Sequence, residues 1–357
     1  MSHALLKRRG AGIHEPMMNG WKSLLAGPYR FATCMRTRLY EQGWLTSRRL
    51  PCPVVSVGNL TVGGTGKTPI TMWVAEKLLE QGKRPGILSR GYRRKSPRKF
   101  LLVSDGTSVL AGPREAGDEP YLMAMRCPGV VVAVGADRYE LGRWVLSQMP
   151  IDCFVLDDGF QHLGLDRDVN LLLVDSSDPA GIQALLPVGK LREPLGEARR
   201  ASDIVLTRVE DESMIADVLD PIREALGSAI DPITTRFAPK TLMGASQSMP
   251  LSDVRRKRAL LFSGIGNPEQ FRRMVTAFGV QVVDELVFRD HEAYGPSRVE
   301  EIDRRVERSR PDVVLTTEKD LIKVRSNWSI PVPLFAVCLE LEFLDGESRL
   351  ERALAAL

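Results

Sequence analysis

The sequence has 357 residues, 43% of them apolar, and a net charge of +4, values typical of a globular protein with about two domains. So small a charge does not indicate nucleic-acid binding, and nothing in the composition indicates an obligate protein partner. The five cysteines show no CxxC or Cys/His spacing and no uncharged stretch is long enough to span a bilayer, so we expect neither a zinc site nor a transmembrane helix.

Residues 1–50 form the basic part of the sequence. They carry a net charge of +7, which leaves −3 for the other 307 residues. From Trp21 onward, apolar and aromatic residues recur at helical spacing with arginines between them. Two interpretations are open: a helix that packs on the protein body, or a basic amphipathic helix that rests on an anionic membrane surface. Because no signal peptide is recognisable, we expect a cytosolic protein, in the second case held against a membrane face.

The segment VVSVGNLTVGGTGKTP, residues 54–69, predicts a phosphate-binding loop. A β-branched run precedes Gly66-Lys67-Thr68 and a helical pattern follows, as in the rule G-x-x-x-x-G-K-[ST], but Thr61 stands where the rule has its first glycine. The glycines allow backbone N–H groups to face phosphate oxygens, and the helix N-terminus adds its dipole. Lys67 is expected to reach the β- and γ-phosphates of ATP, and Thr68 to ligate Mg²⁺. The predicted nucleotide-binding residues are Thr61, Val62, Gly63, Gly64, Thr65, Gly66, Lys67 and Thr68.

Apolar strand-like runs alternate with helical stretches as far as residue 232. The expected strands are 53–59, 84–90, 130–136, 152–158, 170–176 and 203–209. The expected helices are 68–81, 117–126, 137–148 and 211–227. This alternation predicts an α/β fold, with a P-loop NTPase-like, mostly parallel sheet flanked by helices. In such sheets ligands bind beyond the carboxyl ends of the strands.

Two pairs of acidic residues lie within this region. Asp118 and Glu119 of GDEP stand at the start of an expected helix, where Asp commonly serves as an N-cap. Asp157 and Asp158 of FVLDDGFQH end an expected buried strand. Adjacent carboxylates in that position are unfavourable unless a cation or donors meet them, so we interpret this pair as the metal-holding partner of the loop. A capping role in a turn is the alternative.

Beyond residue 232 the pattern weakens and then resumes. Residues 233–254 lack a clear α/β rhythm and are interpreted as a connector, whereas 255–357 predict a second, smaller α/β domain. The predicted organisation is therefore an N-terminal helical segment at 1–50, a nucleotide-binding domain at 51–232, the connector, and the smaller domain. In that last domain, His291 of FRDHEAYG is flanked by acidic residues and could orient a carboxylate across a cleft, although such a histidine is more often a surface or capping residue.

Taken together, the motifs resemble the tetraacyldisaccharide 4'-kinase family, the lipid A 4'-kinases. The resemblance extends from about Trp21 to about Lys323, and the Thr61 departure is part of it. The motifs that carry it are, in chain order, SVGNLTVGGTGKTP, LSRGYRRK, GDEPYLMA, VGADR, LDDGFQHLGLDRD, GKLREPL, LTRVE, RDHEAYG and TTEKDLIK.

The resemblance implies an activity and a location. Members of such a family transfer the ATP γ-phosphate, with Mg²⁺, to the 4'-hydroxyl of a lipid A disaccharide 1-phosphate at the cytoplasmic face of the inner membrane. It also implies two α/β domains that close over the nucleotide. The basic N-terminal segment then has a purpose, because the acceptor is a lipid with an anionic headgroup.

The resemblance also implies roles for individual residues. Asp118 resembles the base that accepts the hydroxyl proton, His291 its partner, and Lys67 a catalytic P-loop lysine. The implied metal-site residues are Thr68, Asp157, Asp158 and Glu193. The implied substrate-side residues are Arg90, Tyr92, Arg138 and Arg192. Gln161 and His162 match the family pattern, with a purely structural role left open for both.

Two other classes of function remain as alternatives. One is a membrane-associated P-loop ATPase switch without a lipid acceptor. Such switches carry a lysine just before GGxGKT, and Val62 occupies that place here. The other is a nucleotide-gated membrane adaptor that binds ATP without turnover.

Overall fold

The computed structural model describes residues 20–244, 248–290 and 292–357. Within these ranges one mixed sheet of thirteen strands runs through the protein. In chain order the strands are β1 Val54–Asn59, β2 Pro85–Ser89, β3 Phe100–Asp105, β4 Val131–Gly135, β5 Cys153–Asp157, β6 Val169–Asp175, β7 Asp203–Thr207, β8 Ile233–Met243, β9 Ser248–Pro250, β10 Arg258–Ser263, β11 Gln281–Val287, β12 Val313–Thr317 and β13 Leu334–Asp345.

Helices cover both faces of this sheet. They are α1 Gly20–Glu41, α2 Lys67–Glu80, α3 Pro113–Ala116, α4 Asp118–Arg126, α5 Arg138–Gln148, α6 Ser213–Leu226, α7 Pro268–Ala277, α8 Pro296–Ser309, α9 Glu318–Val324 and α10 Glu347–Ala355. Short 3-10 turns lie at Pro179–Ile182, Leu195–Arg200, Leu251–Val254 and Arg325–Asn327. The α/β fold predicted from the sequence is confirmed.

The strand order is β11-β10-β12-β13-β8-β7-β6-β1-β5-β2-β4-β3, and β9 pairs with β8. Most described pairs are parallel; the antiparallel ones are β3/β4, β8/β9 and β8/β13. In β1, β2, β4 and β5 every residue is buried, because helices cover the sheet on both sides. The carboxyl ends of β1, β5 and β2 meet at one edge, where Asn59, Asp157 and Ser89 end their strands.

The pair β8/β13 joins an N-terminal half of the sheet to a C-terminal half. Its register runs from Ala336 opposite Met243 to Asp345 opposite Thr234, so two long strands connect the halves. The predicted connector at 233–254 therefore contains regular structure, an 11-residue strand followed by β9 and a 3-10 turn. The predicted domain boundaries stay a prediction.

Two further features cross between the halves. Helix α10 packs on α2, with Leu350 and Leu354 in the same buried cluster as Val74 and Leu78. Helix α9 contacts α4. Both contacts bring residues of the C-terminal half against helices that begin near the phosphate-binding loop.

Candidate active site

The loop between β1 and α2 has the backbone that its glycines predict. Gly63 and Gly66 have φ angles of 121° and 82°, values that L-residues with side chains rarely adopt. A Cβ built on Gly66 would lie 2.4 Å from the Phe237 ring, so both conformation and space require glycine there. A Cβ on Gly63 or Gly64 would meet nothing within 4 Å. The loop is therefore open on the side of these two glycines and closed behind Gly66.

Neighbouring segments hold the loop from outside. Thr61 forms an antiparallel bridge with Leu191, and the Val62 N–H donates to the Lys190 carbonyl at 2.8 Å. The Thr207 hydroxyl, at the end of β7, donates to the Thr65 carbonyl at 3.0 Å. The Arg208 guanidinium donates to the Gly64 carbonyl at 2.6 Å. The Val62 N–H is thus committed to the protein, although sequence reasoning assigned this residue to the nucleotide.

Lys67 is the first residue of α2, and its ammonium lies over the loop. Its Nζ is 3.4 Å from Asn59 Oδ1, 3.3 Å from the Gly63 carbonyl oxygen and 3.6 Å from Asp158 Oδ1. The side chain is 12% exposed. A partly buried ammonium so placed can neutralise anionic oxygens at the loop.

Asp157 ends β5 and is almost completely buried. The Ser89 hydroxyl donates to its Oδ2 at 2.8 Å, whereas its buried Oδ1 has no hydrogen-bond partner among the described residues. Burial, and then the negative charges of Glu119 and Asp158, raise the pKa of Asp157 to about 6. A buried carboxylate oxygen that accepts no hydrogen bond from the protein is suited to ligate a cation.

Asp158 follows immediately in a left-handed conformation, with φ of 52°. Arg192 Nη1 lies 3.0 Å from both of its carboxylate oxygens. Burial alone would raise the pKa of Asp158, but Lys67 and Arg192 overcome this effect and hold the pKa below its usual value. Asp158 is therefore ionised and forms ion pairs with both Lys67 and Arg192.

The four residues predicted for the metal do not converge as one acidic cluster. In the described ranges no group of three or more His, Cys, Asp or Glu side chains is arranged to hold a metal ion. Glu193 is buried and accepts from Arg200 and, at 3.2 Å, from Gln161 Nε2. Thr68 is buried in the first turn of α2. This donor set suits Mg²⁺, which in nucleotide sites takes one or two carboxylates and completes its shell with phosphates and water.

Of the predicted substrate-side residues, Arg138 and Arg192 lie within the site and two others lie at its border. Burial lowers the pKa of Arg138, while Asp157 and Asp158 oppose that effect. Arg90 and Tyr92, just after β2, are exposed, Tyr92 by 65%. A Cβ on Gly117 would lie 2.9 Å from the Tyr92 carbonyl oxygen, so this loop passes directly over the start of α4.

The predicted base stands at that same helix start. The N-cap is Gly117, so Asp118 is the first helical residue and the N-cap alternative is wrong. Asp118 Oδ2 lies 3.6 Å from Lys323 Nζ. The neighbouring Glu119 pairs with Lys319 Nζ at 2.5 Å.

His291 lies outside the described residues, so its prediction has no structural counterpart here. Its neighbour Asp290 interacts electrostatically with Lys319, as do the acidic residues at the start of α4. Burial would lower the pKa of Lys319, but Glu119, Asp290 and Asp118 together raise it above the usual value.

Sequence reasoning left three residues of this group unassigned. The sequence places Glu119 at the start of an expected helix and Lys319 and Lys323 within TTEKDLIK, and indicates no role for any of them. Glu119 lies close enough to Asp157 to raise its pKa, second only to burial. The signal for Glu119 was its adjacency to Asp118, whereas the lysines lie about 200 residues further along the chain.

Helix α1 also contacts residues of the site. The Tyr29 hydroxyl donates to the Arg192 carbonyl at 3.0 Å, and Arg36 donates to the Gln161 carbonyl at 3.0 Å. Phe31 and Met35 are 66% and 42% exposed, and Trp44 just beyond the helix is 78% exposed. One side of α1 thus packs on the protein while apolar side chains remain in solvent. None of the described helices has the length and apolarity needed to cross a membrane.

Comparisons with known proteins point to one family. The family model described as tetraacyldisaccharide-1-P 4'-kinase matches residues 21–357. A tetraacyldisaccharide 4'-kinase from Syntrophus aciditrophicus is 39% identical over 329 residues, which cover 90% of this chain and 88% of that protein. One from Pelobacter propionicus is 40% identical over 301 residues, covering 83% and 80%.

A solved structure agrees with these relatives. The crystal structure of LpxK from Aquifex aeolicus in complex with ATP superposes with a TM-score of 0.78 at 34% identity. The match covers 95% of this chain and 99% of the other.

Proposed function

The chain belongs to the tetraacyldisaccharide-1-P 4'-kinase family, and from that premise we propose that it transfers the γ-phosphate of ATP to the 4'-hydroxyl of tetraacyldisaccharide 1-phosphate. Family membership makes it a kinase of lipid A biosynthesis and favours this reaction over the ATPase-switch and adaptor alternatives. The observation that carries the proposal is the convergence of Lys67, Asp157 and Asp158 at one end of the loop, with Asp118 presented by α4.

On the nucleotide side, the chain contributes backbone and charge. The open backbone at Gly63 and Gly64 and the start of α2 receive the phosphates, and Lys67 and Arg192 offset their negative charge. Thr68 and Asp157 would hold Mg²⁺, with Asp158 and Glu193 as the further predicted ligands. Held by these residues, the ion would supply positive charge that offsets the negative charge developing on the phosphate during transfer.

On the acceptor side, the chemistry needed is removal of one proton. A sugar hydroxyl is a poor nucleophile. A carboxylate that accepts the hydroxyl proton, and holds the hydroxyl oxygen in line with the γ-phosphorus, makes it a better one. We assign this role to Asp118, with His291 as its partner. Arg90, Tyr92 and Arg138 are assigned to the phosphate and sugar groups of the substrates. Support comes from the loop of Tyr92 passing over the start of α4.

The test is a transfer assay with labelled ATP and a lipid A disaccharide acceptor. Asp118→Asn should lower kcat by about 10²–10⁴-fold, and His291→Ala by a similar factor, while ATP binding persists. Asp105→Asn, which changes a half-buried carboxylate at the end of β3, is the control and should behave like the parent. Full transfer activity in Asp118→Asn would refute the assignment of the base.

We also propose that the protein works at the cytoplasmic face of the inner membrane, bound through its N-terminal segment. Exposed Phe31, Met35 and Trp44 would enter the interface, and the arginines of α1 would meet anionic headgroups.

Vesicle sedimentation tests this attachment. Phe31→Ser combined with Trp44→Ser should reduce binding to vesicles that contain anionic lipid, and added salt should reduce the parent's binding as well. Val287→Ser, at a 57% exposed valine of β11, is the control. Unchanged sedimentation of the double variant would contradict the proposal.

A further inference from the structure

Asp118 is held by a residue from the other half of the sheet. Helix α4 belongs to the N-terminal half, and α9 and the 3-10 turn after it belong to the C-terminal half. Side-chain pairs connect these segments, and four of the pairs join a nitrogen to an oxygen atom. These pairs are Asp118 with Lys323, Glu119 with Lys319, Tyr121 with Arg325, and Arg126 with Glu318. Of the four, the first reaches the proposed base itself.

Lys323 is enclosed, with its side chain only 9% exposed. Its Nζ lies 3.2 Å from Asp320 Oδ1, 3.6 Å from Asp118 Oδ2, and 5.5 Å from the centroid of the Tyr294 ring. An ammonium surrounded in this way has little freedom to leave Asp118, because any other position would remove it from two carboxylates and an aromatic face.

Asp320 in turn is fixed by the fold. It is completely buried, and its Oδ2 accepts from the Gly264 N–H at 2.9 Å and from the Thr317 hydroxyl at 2.7 Å. Gly264 directly follows β10 and Thr317 ends β12, so the carboxylate is anchored to two strand ends of the C-terminal half. A continuous line of contacts therefore runs from these strands through Asp320 and Lys323 to Asp118.

We propose that Lys323 is a positioning residue for the transfer reaction, which holds the Asp118 carboxylate in the orientation that accepts the acceptor's hydroxyl proton. The inference rests on the proposed function of Asp118. Lys323 acts through Asp118, not on the substrates. Because the holding group comes from the C-terminal half, the base is correctly placed only when α4 and α9 are in contact.

The chain offers a matched control for this proposal. Arg126 and Glu318 form an ion pair between the same two helices, at the end of α4 remote from Asp118. Removing that pair loosens the contact between α4 and α9 but leaves the neighbourhood of Asp118 in place. A purely structural role for Lys323 predicts equal effects of breaking either pair.

The experiment compares kcat, the KM values for ATP and for the lipid acceptor, and Tm in the full chain. Lys323→Met should lower kcat by about 10²-fold with little change in either KM, as expected when a reacting group is misplaced by about an ångström. Arg126→Met should keep a kcat near the parent's at a similar or larger loss of Tm. Lys323→Arg should recover part of kcat. Should Lys323→Met fail to fold, Lys323→Gln takes its place with the same expected loss.

The outcomes distinguish the proposed role of Lys323 from the proposed role of Asp118 as the base. Loss of activity in Asp118→Asn together with parent-like kcat in Lys323→Met would overturn the role of Lys323 alone. Equal losses of kcat in Lys323→Met and Arg126→Met would also overturn it. Full activity in Asp118→Asn would remove both proposals. In the Asp118→Asn background, adding Lys323→Met should cause no further loss.

Discussion

The two sides of the proposed site are built in different ways. On the nucleotide side, Asp157 and Asp158 stand at the end of β5, which pairs with β1, and Lys67 Nζ lies 3.6 Å from Asp158 Oδ1. On the acceptor side, Asp118 begins a helix and is held by a lysine from a distant part of the chain. The comparison teaches that the residues proposed to hold the phosphates lie within one half of the sheet, whereas the proposed base depends on both halves.

The broadest effect expected from this comparison concerns Lys67, because its loss should change both ATP binding and kcat. Lys67→Met removes an ammonium that contacts both the Gly63 carbonyl and Asp158, so it should weaken ATP binding and lower kcat by about 10²–10³-fold. Asp118→Asn, on the other side, should lower kcat alone. Isothermal titration with ATP beside steady-state kinetics separates the two behaviours. If ATP binds Lys67→Met as tightly as the parent, the division into two sides is wrong.

A smaller effect is expected from pH, which should change the free energy of unfolding through His162. Burial, and then the positive charge of Arg138, lower the pKa of His162 to about 4. The unfolded chain takes up a proton near pH 6.5 that the folded chain does not, so the free energy of unfolding should fall between about pH 6.5 and pH 4. The loss should reach up to about 3 kcal/mol.

Urea unfolding across that pH range measures this effect. The curve for His162→Gln should be flatter than the parent's, and the difference between the two isolates this histidine from other titrating groups. Parallel curves would contradict the prediction.

The smallest effects are expected from one glycine on each side. Gly66 and Gly117 have φ angles of 82° and 96°, and a Cβ on either would collide with a neighbour. Gly66→Ala and Gly117→Ala should each destabilise the protein by about 1–3 kcal/mol. Gly66→Ala should also impair ATP binding, whereas Gly117→Ala should lower kcat with ATP binding retained. Thermal unfolding and ATP titration check this, and identical functional defects would erase the distinction.

The sequence predicted one side of this comparison better than the other. The segment from β1 through the loop to α2 was predicted almost to the residue, because glycines, a lysine and a helix pattern lie next to one another. Strand β5, with Asp157 at its end and Asp158 just after it, is predicted for the same reason: a buried parallel strand is a continuous apolar run.

The elements missed were those whose structure depends on a distant partner. Strand β8 contains Pro239 and Lys240 and alternates irregularly between buried and exposed residues, because it pairs with β13 from the far part of the chain. Strand β3 is a half-buried edge strand that follows a basic loop. The sequence does not indicate the roles of Lys319 and Lys323 for a similar reason. Only the packing of α9 on α4 brings these lysines to the carboxylates at the start of α4.

The seat of α10 on α2 has a consequence for synthesis. Leu350 and Leu354 complete the apolar layer beneath the helix that starts at Lys67, although about 280 residues separate them along the chain. While a ribosome is still translating, that layer stays uncovered until residues 347–355 emerge from the exit tunnel. Before α10 has packed there, the nascent nucleotide-binding half should therefore expose this apolar layer to solvent.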